Sequence, residues 1–288
     1  MPELPEVETT VKDLWEKILG RKIEDVWTDF PKMIKKPKDF KDFVKEIKRR
    51  KIENIRRRGK NILIDLSGNK TLLIHQKLTG HLLLGKWKKK NNKWQPPPGP
   101  LSEKVNTYIH LLFTFDDGQQ LALSDLRKFA KAELFNKDEL KKELSSLGPE
   151  PLDKSFTFEN FTGALGRARG KIKQVLMDQT VIVGIGNIYS DEILWQAKVH
   201  PLKEISQLSE KELKNIYRAI RKILPLAIKL CGESISDYRT LSGEAGFFDK
   251  ARKVYRREGE KCRHCGTVIK RIKTGSRSAH FCPNCQLL

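Results

Sequence analysis

The chain has 288 residues, 38% of them hydrophobic, enough apolar material for a sizeable core and length for two or three domains; a disordered tail is excluded. Lys and Arg number 57 against 36 Asp and Glu, a formal net charge of +21. That balance points to a polyanion, nucleic acid first and an anionic membrane surface second, rather than to a small acidic metabolite.

No run approaches the roughly 18–20 apolar residues of a membrane-spanning helix. Acids stand near the amino end, where a signal peptide carries bases, so a soluble, cytoplasmic protein is expected.

In chain order, Val7, Val11, Leu14, Trp15 and Ile18 keep helical spacing up to Gly20, a C-terminal stop. Glu6 and Glu8 then favour the positive end of that helix, whereas Glu3 is poorly explained by the dipole. A second amphipathic helix is expected around Phe40, Phe43, Val44 and Ile47. It lies in segment 32–60, which holds 14 Lys or Arg against 4 Asp or Glu, a solvated face or a phosphate-facing one. The period then changes: ILIDL (62–66), TLLIH (71–75), HLLLG (81–85), YIHLLFTF (108–115) and QLALS (120–124) predict strands, with a turn at DDG (116–118). The first domain is therefore mostly antiparallel β with flanking helices. KWKKKNNKWQPPPGP (86–100) is expected as a surface loop, too polar and proline-rich for a core element.

LGPEPL (147–152) ends that pattern. FTFENFTGAL, KIKQVLMD, NIYSDEILWQAKV and a long segment from Ser209, with Ser209 and Glu212 as a capping box, predict helices. Domain boundaries follow near 137–155 and 240–255. VGIGNIY (183–189) suits backbone N–H groups approaching a phosphate, or is simply a tight turn between helices; it lacks a dinucleotide-binding context.

Four of the five cysteines form two Cys-x-x-Cys knuckles, Cys262/Cys265 and Cys282/Cys285. That spacing suits four thiolates around one tetrahedral zinc, in preference to two disulfide or redox pairs. Cys231 is expected to pack on an apolar helical face.

The opening MPELPEVETT poses a chemical question. If Met1 is removed, Pro2 presents a secondary amine with a reference pKa of roughly 7.7–8, so an appreciable fraction is available as a neutral nucleophile near pH 7 without burial. Condensed with an aldehyde carbon it forms a charged iminium, and Glu3 stands beside it to move a proton. On composition alone, Pro2 and Pro5 also fit simple helix initiation.

MPELPEVET, LGPEPL, VGIGNIYSDEIL and the cysteine pairs, in that order across nearly the whole chain, resemble bacterial formamidopyrimidine-DNA glycosylases. The resemblance implies an α+β multidomain protein: an N-terminal antiparallel β-sandwich with flanking helices (2–140), a helix–two-turn–helix DNA-binding domain (150–240) and a C-terminal zinc-finger β-hairpin (250–288). It implies Pro2 as the nucleophile at C1′, Glu3 as the acid for the sugar oxygen, Lys60 in proton transfer during β-elimination, and Arg277 as a phosphate ligand linked to δ-elimination. It further implies Asn187 and His110 as DNA contacts and Leu78, Arg127 and Phe129 as the side chains that fill the space of an extruded base. Leu78 stands where Met is usual, SDLRKFA departs from the family's Asp-Pro-Arg-Arg-Phe-Gly, and Tyr108 replaces one of two histidines. Ordinary surface phosphate contacts would also account for Lys60 and Arg277.

The activity expected is base-excision repair of oxidised purines in duplex DNA, glycosylase and abasic-site lyase in one chain, acting as a monomer with one structural zinc and no small-molecule cofactor. The alternatives are an endonuclease VIII-like glycosylase for oxidised pyrimidines and a non-catalytic zinc-containing DNA-binding protein.

Overall fold

The computed structural model describes residues 1–91, 93–235 and 237–288. The chain divides into two compact units: residues 1–145 with 230–249, and residues 146–229 with 250–288.

The first unit opens with helix α1 (Leu4–Ile18), closed by Gly20 at positive φ. Strands β1 (Ile23–Thr28), β2 (Ile34–Lys36), helix α2 (Phe40–Ile47), β3 (Ile52–Arg58), β4 (Asn61–Leu66), β5 (Lys70–His75), β6 (His81–Gly85), β7 (Lys88–Lys90), β8 (Lys93–Gln95), β9 (Ile109–Phe115), β10 (Gln120–Ser124), β11 (Lys131–Asn136) and helix α3 (Lys137–Leu144) follow. They build a four-stranded sheet, β1-β9-β10-β6, and a five-stranded sheet, β2-β11-β5-β4-β3. The pairing is antiparallel except for β2 with β11, which run parallel. Alternate residues of both sheets, such as Ile62, Ile64, Ile74, Leu82, Leu111 and Phe113, share one core with Val7, Val11, Leu14 and Ile18 of α1 and Phe43 of α2. The predicted strands all appear. β1, β3 and β11 were hidden in charged sequence, because a strand needs only every second side chain apolar to face a core.

Two expectations are corrected. Segment 86–100 is not merely a polar loop: it carries the β7–β8 hairpin, and Trp87, 4% exposed, joins Leu83, Leu101 and Leu112 in a small core on the outer face of the four-stranded sheet. The lysines between the two tryptophans mask that apolar stripe. Cys231 lies past the end of the long helix, in a left-handed turn (φ 56°) and half-buried, instead of on a helical face. Residues 230–249, which the sequence joins to the helical segment and its linker, belong to the first unit, where the amino end of α1 holds them.

The second unit contains helices α4 (Phe158–Leu165), α5 (Ile172–Met177), α6 (Asn187–Ala197) and α7 (Glu210–Lys229), then β12 (Lys270–Thr274) and β13 (Arg277–Phe281) as a hairpin. Ser209 caps α7 as anticipated: its Oγ accepts from Glu212 N–H (3.3 Å) while Glu212 Oε2 accepts from Ser209 N–H (2.9 Å). The rings of Phe156, Phe158, Phe161 and Tyr217 cluster, and the Tyr217 hydroxyl donates to the Phe156 carbonyl (2.9 Å). Among the described residues no helix is long and apolar enough to cross a membrane.

At the end of β5, His75 Nδ1 accepts the Lys77 N–H (3.0 Å), which requires the neutral ring. Burial first, then Lys77, Lys131 and Lys60, push its pKa down to about 3. A histidine whose folded pKa lies below the unfolded value of roughly 6.5 contributes stability that is complete above that value and lost as pH falls toward 3. Thermal melts should therefore show His75→Gln losing less stability than the wild type between pH 7 and pH 4, by about 1–3 kcal/mol; parallel losses would exclude the group.

Candidate active site and nucleic-acid interface

The amino end of α1 is buried: Pro2 is covered, Glu3 is 2% exposed and Glu6 is 1% exposed. Glu6 organises it. Its Oε2 accepts the Glu3 N–H (2.7 Å), its Oε1 accepts the Glu233 N–H (2.8 Å), and its carbonyl accepts the Tyr238 hydroxyl (3.2 Å). Gly232 permits this approach, since its φ is +78° and a Cβ there would lie 2.6 Å from Glu6 Oε1. Two residues along, Glu8 Oε2 accepts from Arg57 Nε (2.7 Å), and Arg57 Nη1 donates to the Gly59 carbonyl (3.1 Å). That ties the β3–β4 turn, with Lys60 at 7% exposure, to α1. Burial pushes the pKa of the terminal amine below its ordinary value of 8.0; Glu3, Glu6 and Asp237 oppose the shift and Lys60 reinforces it. Glu3 and Lys60 thus both act electrostatically on the amine, and the acids at 3, 6 and 8 have three different duties.

A second set of side chains is presented by two neighbouring loops. Asp125, fully buried, accepts from Thr79 Oγ1 and from the Ala130 N–H (2.7 Å), and the Arg127 N–H lies against both Thr79 Oγ1 (3.2 Å) and Asp125 Oδ1 (3.3 Å). Those bonds join loop 76–80 to loop 125–130. Leu78 is half-buried and outside the core clusters, Phe129 is 51% exposed, and the Arg127 guanidinium lies 4.9 Å from the Phe129 ring centroid. The sequence reading missed Asp125 and Thr79. The signal was an Asp two residues before an exposed Arg, the offset at which an Asp side chain holds a turn. His110 is also placed by a carboxylate, with Nδ1 2.8 Å from Asp29 Oδ1 and only 9% of the residue exposed.

In the second unit, Asn187 begins α6 directly after Gly186 and shares a groove of about 570 Å³ with Arg277 of the β12–β13 hairpin, Arg256, Arg271, Ser276 and Ser278. Asn187 Oδ1 is buried with no partner among the described residues. Glu258 also lines the groove and pairs with Arg271 (3.4 Å), which leaves Arg256 and Arg277, the hydroxyls and the helix amino end as the groups that suit a phosphate. The groove is held from behind by two consecutive acids of α6. Asp191 accepts from Lys173 Nζ (2.5 Å), the His280 N–H (2.9 Å) and His280 Nδ1 (3.0 Å), all buried. Glu192 accepts three backbone N–H groups, from Lys253, Val254 and Tyr255 (2.8–3.0 Å); burial still pushes its pKa up against those donors.

Cys262, Cys265, Cys282 and Cys285 bring their sulfurs within 4.8 Å of one another. The individual separations of 3.4 Å (Cys265–Cys282 and Cys265–Cys285) and 4.0 Å (Cys262–Cys285) bracket the roughly 3.8 Å edge of a tetrahedron with 2.3 Å Zn–S bonds. The set fits one structural zinc, which leaves no open position for chemistry.

Three family models match in sequence: the formamidopyrimidine-DNA glycosylase N-terminal domain over residues 1–132, its H2TH domain over 147–239, and a zinc finger found in FPG and IleRS over 259–287. A formamidopyrimidine-DNA glycosylase of Bacillus cereus is 38% identical over 288 residues, covering 99% of both chains, and one of Listeria innocua is 38% identical over 289 residues, covering 99% of this chain and 100% of its own. Among solved structures, a Lactococcus lactis FPG variant in complex with a Fapy-dG containing DNA superposes with a TM-score of 0.87 at 36% identity over 100% of each chain. A Lactococcus lactis Fpg complex with an abasic site containing DNA gives 0.87 at 36% identity, covering 99% of this chain and 100% of that one. Likeness of this extent makes the protein a DNA glycosylase with a zinc-finger DNA-binding module. The chain belongs to the formamidopyrimidine-DNA glycosylase family. Neither alternative, a glycosylase for oxidised pyrimidines or a zinc-containing binder without activity, is favoured by these matches.

One zinc per chain is expected on metal analysis. Cys282→Ser should release it and weaken duplex binding, because the hairpin that carries Arg277 is folded by the metal. Full affinity in a metal-free variant would show that the hairpin stands without it.

Proposed function

We propose that this protein excises oxidised purines, 8-oxoguanine and formamidopyrimidines, from duplex DNA in the bacterial cytosol and then cuts the abasic strand by β,δ-elimination. The observation that carries this is the amino end of α1, where Pro2 is covered and the buried Glu3 and Lys60 both act on the chain terminus. The three segments 2–140, 150–240 and 250–288 are taken as its catalytic, helix–two-turn–helix and zinc-finger parts.

Once Met1 is removed, the Pro2 nitrogen attacks C1′ with its lone pair, the glycosidic bond breaks with its electrons leaving on the base, and the proton shed by the new ammonium neutralises the departing base. Glu3, as the acid, protonates the sugar ring oxygen, and ring opening gives the iminium. Its positive charge acidifies C2′–H; a base takes that proton and the C3′–O bond breaks, a transfer assigned to Lys60. A second proton is then lost from C4′ as the C5′–O bond breaks and the 5′ phosphate leaves with its electrons, Arg277 stabilising phosphate charge, and water hydrolyses the iminium to free Pro2. Leu78, Arg127 and Phe129 occupy the space of the extruded nucleotide, and Asn187 and His110 contact the DNA.

A chain that retains Met1 or carries an amino-terminal tag should bind lesion duplex and fail to cut it. Glu3→Gln should lower base excision by about 10²–10⁴-fold while cleavage of a pre-formed abasic site persists in part. Borohydride should trap the wild type through its amino-terminal peptide. A cross-link at Lys60, or undiminished cutting by a tagged chain, would remove Pro2 from the reaction. Preference for thymine glycol over 8-oxoguanine would favour the pyrimidine-directed alternative.

Asp125→Ala tests the loops. It should slow excision from an intact duplex at least tenfold more than cutting at an abasic site, where no base has to leave the stack. Equal losses on the two substrates would reduce Asp125 to a general stabilising role.

A further inference from the structure

A second basic site lies at the other end of α6. Eleven residues at 1.5 Å each place the carboxyl end of this helix about 16 Å from Asn187. There, Ala197 and Ala219 line a groove of about 440 Å³ whose rim carries Lys198, Lys211, Arg218 and Lys222, and no acid lines it. All four cations are exposed, and among the described residues none is ion-paired. The acids of the adjoining turn are already engaged, Glu210 with Lys214 (2.5 Å) and Glu212 with Lys203 (2.7 Å). Lys211, Arg218 and Lys222 fall on one face of α7, spaced seven and four residues apart, so the row is about 16 Å long.

Lys198 is favoured by the carboxyl end of α6, which it caps, whereas Lys211, Arg218 and Lys222 line the same groove with no acid among its lining and repel one another. A single phosphate would call for convergence on a point. A row 16 Å long instead matches about five axial steps of one DNA strand, each carrying a charge.

We infer that this groove is a second nucleic-acid site, which holds the backbone of a separate DNA segment while the Asn187 end of α6 faces the first. The inference rests on the proposed DNA-directed activity. Its function would be transfer between segments during the search for lesions: the protein holds a new duplex before it releases the old one.

The test uses the full zinc-bound chain, a biotinylated duplex with one 8-oxoguanine, and a second, fluorescent, undamaged duplex. The wild type should retain the second duplex on beads that carry the first, in a salt-sensitive manner. Lys211→Gln/Arg218→Gln/Lys222→Gln should retain roughly tenfold less, with single-duplex cleavage unchanged. Lys137→Gln/Lys141→Gln/Lys142→Gln on α3 removes the same charge from exposed positions elsewhere and should bridge like the wild type. Equal bridging by both triple variants, or no bridging by the wild type, overturns the inference. So does capture of polyglutamate by the wild type with no second duplex held, which would assign the groove to an acidic protein. Failure of the wild type to cut the first duplex would instead sink the proposed activity itself.

Discussion

The carboxylate of Glu6 is the constraint on which the amino end depends. It is buried, so each oxygen must be satisfied by the protein, and it uses one on its own helix and one on a segment more than two hundred residues away. Hydrogen bonds to a charged group contribute about 1.5–3 kcal/mol each, and leaving the buried charge unsatisfied costs more. The result is a fixed position for Pro2 and Glu3. Residues at a chain terminus are ordinarily mobile; here a side chain one helical turn inside the fold removes that freedom. The Glu8–Arg57 pair does the same for the turn that carries Lys60.

The second unit solves a similar problem with the same chemistry. Asp191 and Glu192 are adjacent on α6 yet project to different partners, one to the β12–β13 hairpin through His280 and one to the segment that enters the metal module. Zinc folds the module, and α6 aims it. The helix that begins with Asn187 therefore also fixes where Arg277 stands, which makes the groove between them a property of one rigid element instead of two independent loops.

Much of this was legible in the sequence, for identifiable reasons. The four cysteines were readable because metal coordination needs fixed spacing. β4, β5, β6, β9 and β10 were readable because they are buried on both faces or nearly so. α7 announced itself through Ser209 and Glu212. The parallel β2–β11 pair was not legible, since three residues of strand carry no pattern and their partner is about a hundred residues away. Trp87 was obscured by its lysine neighbours. The role of Glu6 was invisible for a different reason: a dipole explanation was available locally and sufficient, and nothing near it in sequence hints at Glu233. Asp125 likewise looks like a turn former, which it is; its contact with Thr79 belongs to the tertiary structure.

The late position of residues 230–249 bears on the order of events during synthesis. The partner that closes over the amino end lies 227 residues downstream of Glu6, so at 5–20 residues per second it emerges on the order of ten to fifty seconds after the terminus leaves the ribosome. Throughout that interval the Glu6 carboxylate lacks its distant partner, so the amino end of α1 reaches its final hydrogen bonding only when the chain is nearly complete.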